Sequence, residues 1–171
     1  MGTLIETTVD HRAMTALARA ARKTLRRKKS RRLHLLMDAV ALVSIALALP
    51  ARMAGRPQWW LDLTLAFLLL ALIRLEDAIN GLAALYQVRP EDRTVTALFR
   101  EDQYVCITPS EKVWCFYGQV LAVCETAGYF ILLLDERHGQ IFDKGGFKTG
   151  DPAAFRAFLA YRTGLPVRQI R

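Results

Sequence analysis

Paired cysteines are the first thing this chain lacks. Cys106, Cys115 and Cys124 make an odd count and form no CxxC pair, which excludes a disulfide framework and points to reduced, buried thiols. Histidine is scarce as well: His11, His34 and His138 stand far apart, with no cysteine or acidic partner at ligand spacing, so no metal and no cofactor is expected. No serine, histidine or cysteine sits in a nucleophile motif, and Gly145–Gly146 lacks the strand–loop–helix setting of a phosphate cradle. The adjacent acids Glu91–Asp92, Glu101–Asp102 and Asp135–Glu136 all fall in expected turns, where neighbouring carboxylates point apart into solvent. The chain therefore reads as a non-enzyme.

Acidic residues are nearly missing from the first 32 positions. Ten Lys or Arg stand there against Glu6 and Asp10. That is 10 − 2 = +8, the whole net charge of the 171 residues, and positions 33–171 sum to zero. Six of these cations, Arg26, Arg27, Lys28, Lys29, Arg31 and Arg32, immediately precede a long apolar run. Charge confined to such a flank is the footprint of the positive-inside rule rather than of nucleic-acid binding. The same six are the candidate contacts to anionic lipid headgroups.

The apolar run from Leu33 to Leu49 is followed, after Pro50, Gly55 and Pro57, by a second from Trp59 to Ile73. At 1.5 Å per residue the first spans about 25 Å and the second slightly less, against a hydrocarbon core of about 30 Å. Flanking residues extend both, giving a transmembrane hairpin over 33–75, with spans 33–53 and 58–75. Trp59 and Trp60 suit the outer aromatic belt. The basic flank holds the N-terminus in the cytoplasm, and two spans return the C-terminus there. Folding the hairpin about residue 54 puts Asp38 level with Leu70, one turn deeper than Arg74, so an Asp38–Arg74 pair is expected to close the cytoplasmic end. Ala39, Ala46 and Ala66 would permit close helix contact and a homo-oligomer.

Ahead of the hairpin, residues 1–32 read as a short strand, Leu4 to Val9, then a basic amphipathic helix capped by Asp10. Behind it, residues 76–90 continue the second helix until Pro90. From 91 to 171 the texture is that of a small β-domain. YFILLL (Tyr129 to Leu134) has no polar position and reads as a central strand buried on both faces. Asp151, Pro152 and Gly164 punctuate a C-terminal helix over 152–163.

The order of these features, with YFILLLDERHGQIFDKGGF (Tyr129 to Phe147) and FRAFL (Phe155 to Leu159), resembles the YcxB-like family of bacterial membrane-associated proteins. Lys144 and Phe147 match its signature segment; Asp143 stands where a proline is usual. The resemblance implies an α+β membrane protein whose small cytoplasmic antiparallel sheet is pleckstrin-homology-like and capped by the C-terminal helix. The hairpin is expected either to precede this sheet or to be inserted into it; the resemblance suggests that the first strand pairs with the sheet, which would make the hairpin an insertion. The expectation is a membrane-anchored binding or regulatory module in the inner membrane of a bacterium, with an unidentified protein partner. The alternatives are an immunity protein against a membrane-active toxin and a small oligomeric transporter or channel subunit.

Overall fold

The computed structural model describes residues 2–170 and divides the chain into two compact units. Residues 1–26 and 77–171 form one, a β-domain, and residues 27–76 form the other. Among the described residues there are four α-helices and two sheets, so the fold is mixed α+β.

In the β-domain, β1 (Thr3–Thr8), β2 (Thr94–Phe99), β3 (Gln103–Ile107), β4 (Lys112–Phe116) and β8 (Phe147–Thr149) make a five-stranded sheet in the order β4-β3-β2-β1-β8. The second sheet holds β5 (Ala122–Glu125), β6 (Tyr129–Leu133), β7 (Gly139–Asp143) and β9 (Val167–Gln169), in the order β7-β6-β5-β9. β1 pairs antiparallel with β2 along its whole length, from Thr3 opposite Phe99 to Thr8 opposite Thr94, and with β8 on its other side. The N-terminal strand thus lies inside the C-terminal sheet, and the β-domain is discontinuous in sequence.

β6 shows why its sequence has no polar position. Side chains alternate along a strand: Phe130 and Leu132 enter the core between the sheets, while Ile131 and Leu133 enter a second core on the opposite face. That second face is covered by α1 (His11–Lys23), which lays Ala13, Ala20 and Ala21 onto Ile131, Leu133 and Ile141. The basic amphipathic helix is therefore packed on its own domain, with Asp10 accepting from the Ala13 N–H at 2.7 Å as its N-cap. Between the sheets the core is aromatic. Phe99 stacks on Tyr104 at 5.0 Å and meets Phe155 edge-on at 4.7 Å. Phe155 comes from α4 (Pro152–Thr163), whose Phe155 and Leu159 close the sandwich. The expected caps are in place: Asp151 accepts from the Ala153 and Ala154 N–H groups, and Gly164 ends the helix at φ 66°. Cys106, Cys115 and Cys124 are buried and free, as expected.

In the other unit, α2 (Arg27–Met53) starts within the basic run and continues through Pro50. Its end at Met53 coincides with the end of the expected first span. The proline stands in the last turn, where the helix loses one bond and then stops. Gly55, at φ 66°, makes the stop: its N–H reaches Arg52 O and the Arg56 N–H reaches Ala51 O. This left-handed cap is open to glycine without strain. α3 (Trp59–Gln87) follows, longer than the apolar run and ending before Pro90 as expected.

Candidate functional site

The candidate residues fall into three groups, and the structure brings together a different set from the one expected. In the unit 27–76, α2 and the first part of α3 run antiparallel. Arg52 lies over the Trp59 ring at 5.5 Å near the turn, and His34 Nε2 lies 2.6 Å from Glu76 Oε2 at the far end. Ser30 Oγ also reaches Glu76, at 3.4 Å. The buried residues of α2 are small: Ser30, Ala41, Ser44 and Ala48. Their 3–4 spacing is that of a left-handed helix seam. Ten residues from the His34–Glu76 contact along each helix lie Ser44 and Ala66, both buried. The large side chains point the other way. Leu42 is 68 % exposed and Phe67 75 %.

The expected Asp38–Arg74 pair is not formed among the described residues; both side chains are exposed. Asp38 and Arg74 each stand one residue beyond a partly buried position of the seam, Met37 and Ile73. One residue is about 100° of helix rotation, which carries both charges off the contact face. The fold-back is also offset, placing Asp38 level with Leu72 by the His34–Glu76 register. His34 and Glu76 close that end instead, and reading the acids singly against the nearest arginine missed them.

Among the described residues, α2 alone is long and apolar enough to cross a membrane. Every 18-residue window of α3 contains at least three of Asp62, Arg74, Glu76 and Asp77. Between Asp62 and Arg74 lie eleven uncharged residues, about 16 Å of helix. Asp62 sits in the first turn of α3, where its charge suits the helix dipole. Of the six candidate headgroup contacts, Arg27, Lys28, Lys29, Arg31 and Arg32 are exposed and Arg26 is half-buried. The first turns of α2 carry this charge with no acidic residue among them.

The third group lies in the β-domain. Lys144, read as a signature position, donates to Glu125 Oε1 at 2.6 Å and to Thr126 O at 2.7 Å, and lies over the Phe130 ring at 5.0 Å. Glu125 is buried at the end of β5. It also accepts from Arg156 Nε at 2.6 Å, Arg156 Nη2 at 2.7 Å and Gln169 Nε2 at 2.7 Å. Burial pushes the Glu125 carboxyl up, but Arg156 and Lys144 outweigh it and hold the group below the ordinary value. One carboxylate thereby ties β5, the turn after β7, α4 and β9 together. Phe147 is a core anchor, packing edge-on against Phe155 at 5.4 Å. Sequence reading passed over Glu125; its only signal was an acid ending an otherwise apolar strand, AVCE.

A second buried carboxylate, Asp77, joins α1 to α3. Arg22 grips it with two bonds, 2.6 and 2.7 Å, and Arg19 adds a third at 3.4 Å. Burial raises the Asp77 carboxyl, and the guanidinium groups of Arg22 and Arg19 together more than reverse it. Nearby, a Cβ on Gly81 would lie 2.6 Å from the Thr15 backbone nitrogen, so the two helices touch backbone to backbone. The acid pairs shape turns: Asp92 accepts from the Ser110 N–H, and Asp135 from the N–H groups of Arg137 and His138. No cluster of three or more metal-ligating side chains occurs among the described residues. Comparison of the chain with protein-family models, with curated proteins and with solved structures gives no match.

Proposed function

We propose that this chain is a non-enzymatic, membrane-anchored binding or regulatory module. Its hairpin lies in the bilayer as two spans, both termini are cytoplasmic, and the basic run from Arg26 to Arg32 rests on anionic headgroups. The carrying observation is the inverted hairpin. Nineteen large apolar side chains between Leu33 and Leu75 are exposed, while the buried positions are Ala and Ser. At roughly 1 kcal/mol or more for each half-exposed side chain, leaving these in water forfeits about 20 kcal/mol. That exceeds the 5–15 kcal/mol by which whole domains are typically stable. Lipid removes the difficulty, and small residues at the seam are how helices pack in lipid.

The short uncharged stretch of α3 fits this reading when its ends are taken separately. Asp62 falls at the outer boundary beside Trp59 and Trp60, and Arg74 and Glu76 at the inner one; a thinned bilayer accommodates the remainder at a modest cost. The β-domain, a two-sheet sandwich closed by α4, supports the pleckstrin-homology-like reading and, through Lys144 and Phe147, the likeness to the YcxB-like family. Its function would be to present that sandwich at the membrane, where tethering raises its effective concentration for membrane partners.

One observation favours a homo-oligomer as a second reading. Asp38 and Arg74 are exposed and make no ion pair with each other; Asp38 lies within an apolar run, where a charge is expensive unless partnered, and Arg74 stands at the end of the other. A second copy would supply the partner for each.

Reporter fusions at both termini, with cysteine labelling in the turn at Ala54, test the topology. The expected result is two cytoplasmic termini and a labelled outer turn. A C-terminus outside the cell sinks the two-span reading. Replacing the six cations from Arg26 to Arg32 with Gln should invert or scramble the orientation.

A further inference from the structure

Four strands stand at sheet edges: β4 and β8 in one sheet, β7 and β9 in the other. β8 and β9 are three residues long and carry Lys148 and Arg168 at their centres, a charge of the kind that guards an edge. β7 is covered by α1, and its Asp143 N–H donates across to Thr7 Oγ1 of β1 at 3.0 Å. β4 has five residues, and Lys112, Val113, Trp114 and Phe116 are all exposed.

The turn before β4 sets which of its backbone groups face out. The Thr108 N–H donates to Glu111 O at 2.9 Å, so these opposed residues are a hydrogen-bonded pair. Bonded and non-bonded pairs alternate along antiparallel strands, which makes Cys106–Val113 and Tyr104–Cys115 the next bonded pairs. Lys112, Trp114 and Phe116 therefore turn their N–H and C=O groups away from β3, onto the open edge. Among the described residues only the Phe116 N–H has a partner there, Gln119 Oε1 at 3.5 Å. The side chains divide in the same way. Cys115 enters the core, whereas Trp114 and Phe116 lie on the opposite face, 44 % and 52 % exposed. Lys112 Nζ stands 5.0 Å from the Trp114 ring centroid on that face.

We propose that β4 pairs antiparallel with β4 of a second copy of this chain, across a two-fold axis at Trp114. Of the registers a two-fold allows, this one alone pairs all of the outward residues. Trp114 faces its own copy, and Lys112 faces Phe116 on either side of the axis. Each pair exchanges both of its N–H···O bonds, and the aromatic side chains leave water against one another. The ammonium of Lys112 then sits between its own Trp114 and the second copy's Phe116, a cation–π site. Centring the axis on Lys112 would oppose two ammonium groups instead, which destabilises a strand pair. A second copy is the fitting occupant because β4 read backwards is its own complement, as a two-fold interface requires. Every group belongs to the β-domain, so this contact stands apart from the membrane reading and from any contact through Asp38 and Arg74.

The test coexpresses the whole chain as two differently tagged versions, Lys112→Cys and Phe116→Cys. Copper phenanthroline oxidises them in the fraction, membrane or soluble, that holds the chain. A bonded pair sets two Cα atoms about 5.5 Å apart, inside the range of about 4.4–6.8 Å that a disulfide spans. Two Lys112→Cys chains place theirs four residues out of step, beyond about 13 Å. The expected product has twice the chain mass, carries both tags, and is about tenfold or more above the yield from either version alone. The wild-type chain, whose three thiols are buried, gives the background. Trp114→Pro in both versions is a change that an edge strand tolerates. It removes both central hydrogen bonds and should cut the yield about tenfold, whereas Asp38→Asn should leave it unchanged. Equal yields from all pairings, no product carrying both tags, or a product with a foreign polypeptide in its place overturns the proposal. So does a yield that falls with Asp38→Asn and not with Trp114→Pro, which assigns the dimer to the hairpins. Should Trp114→Pro misfold, the comparison of cysteine pairings decides alone.

Discussion

Replacing Glu125 with Gln removes one charge from a site where one carboxylate accepts four hydrogen bonds from three side chains. Glutamine keeps the shape, but its NH₂ must face either Arg156 and Gln169 or Arg156 and Lys144, and those donors lose their acceptor. Breaking a buried ion pair from one side costs about 3–5 kcal/mol. Here the side chain of Arg156 is 51 % exposed and that of Lys144 22 %, so part of their charge returns to water. The expected loss is about 2–3 kcal/mol at pH 7. A pH dependence goes with it. The carboxyl is held below the ordinary glutamate value of 4.5 in the folded chain, so the unfolded chain takes up the proton first as pH falls. Glu125 therefore contributes fully above about 4.5, and that contribution is lost as pH drops through the lower folded value. Glu125→Gln should shorten this acid loss, and the gap between variant and wild type should narrow below pH 4.5. Urea unfolding in mild detergent from pH 7 to pH 3, followed by Trp114 fluorescence in a Trp59→Phe, Trp60→Phe background, measures both. A variant within about 0.5 kcal/mol of wild type at pH 7, or a gap that stays constant down to pH 3, refutes the reasoning.

Asp77→Ala removes the carboxylate that Arg22 grips with two bonds, and a loss of about 2 kcal/mol is expected, read as a lower thermal midpoint. Gly81→Ala reverses the usual rule that alanine stabilises a helix by about 1 kcal/mol over glycine. Its Cβ would meet the Thr15 backbone at 2.6–2.7 Å, so a net loss of about 1–3 kcal/mol is expected, with faster amide exchange in α1. A neutral or stabilised Gly81→Ala would mean that α1 and α3 are not in backbone contact.

What could be read from the chain alone was set by neighbours in sequence. The caps of α4 depend on Asp151, Pro152 and Gly164 acting within one turn. The Asp10 cap of α1 is equally local, and the unbroken apolar run of β6 declared burial on both faces before any partner was known. The large exposed side chains of the hairpin follow from composition. What the chain alone left open was which charges meet. Glu125, Lys144, Arg156 and Gln169 span 44 residues of sequence, and only sheet order and the docking of α4 bring them to one point. In the hairpin, the seam of Ala and Ser set both register and rotation, choosing His34–Glu76 over Asp38–Arg74. A shift of one residue turns a helical side chain by about 100°, a difference that hydropathy cannot register and packing decides.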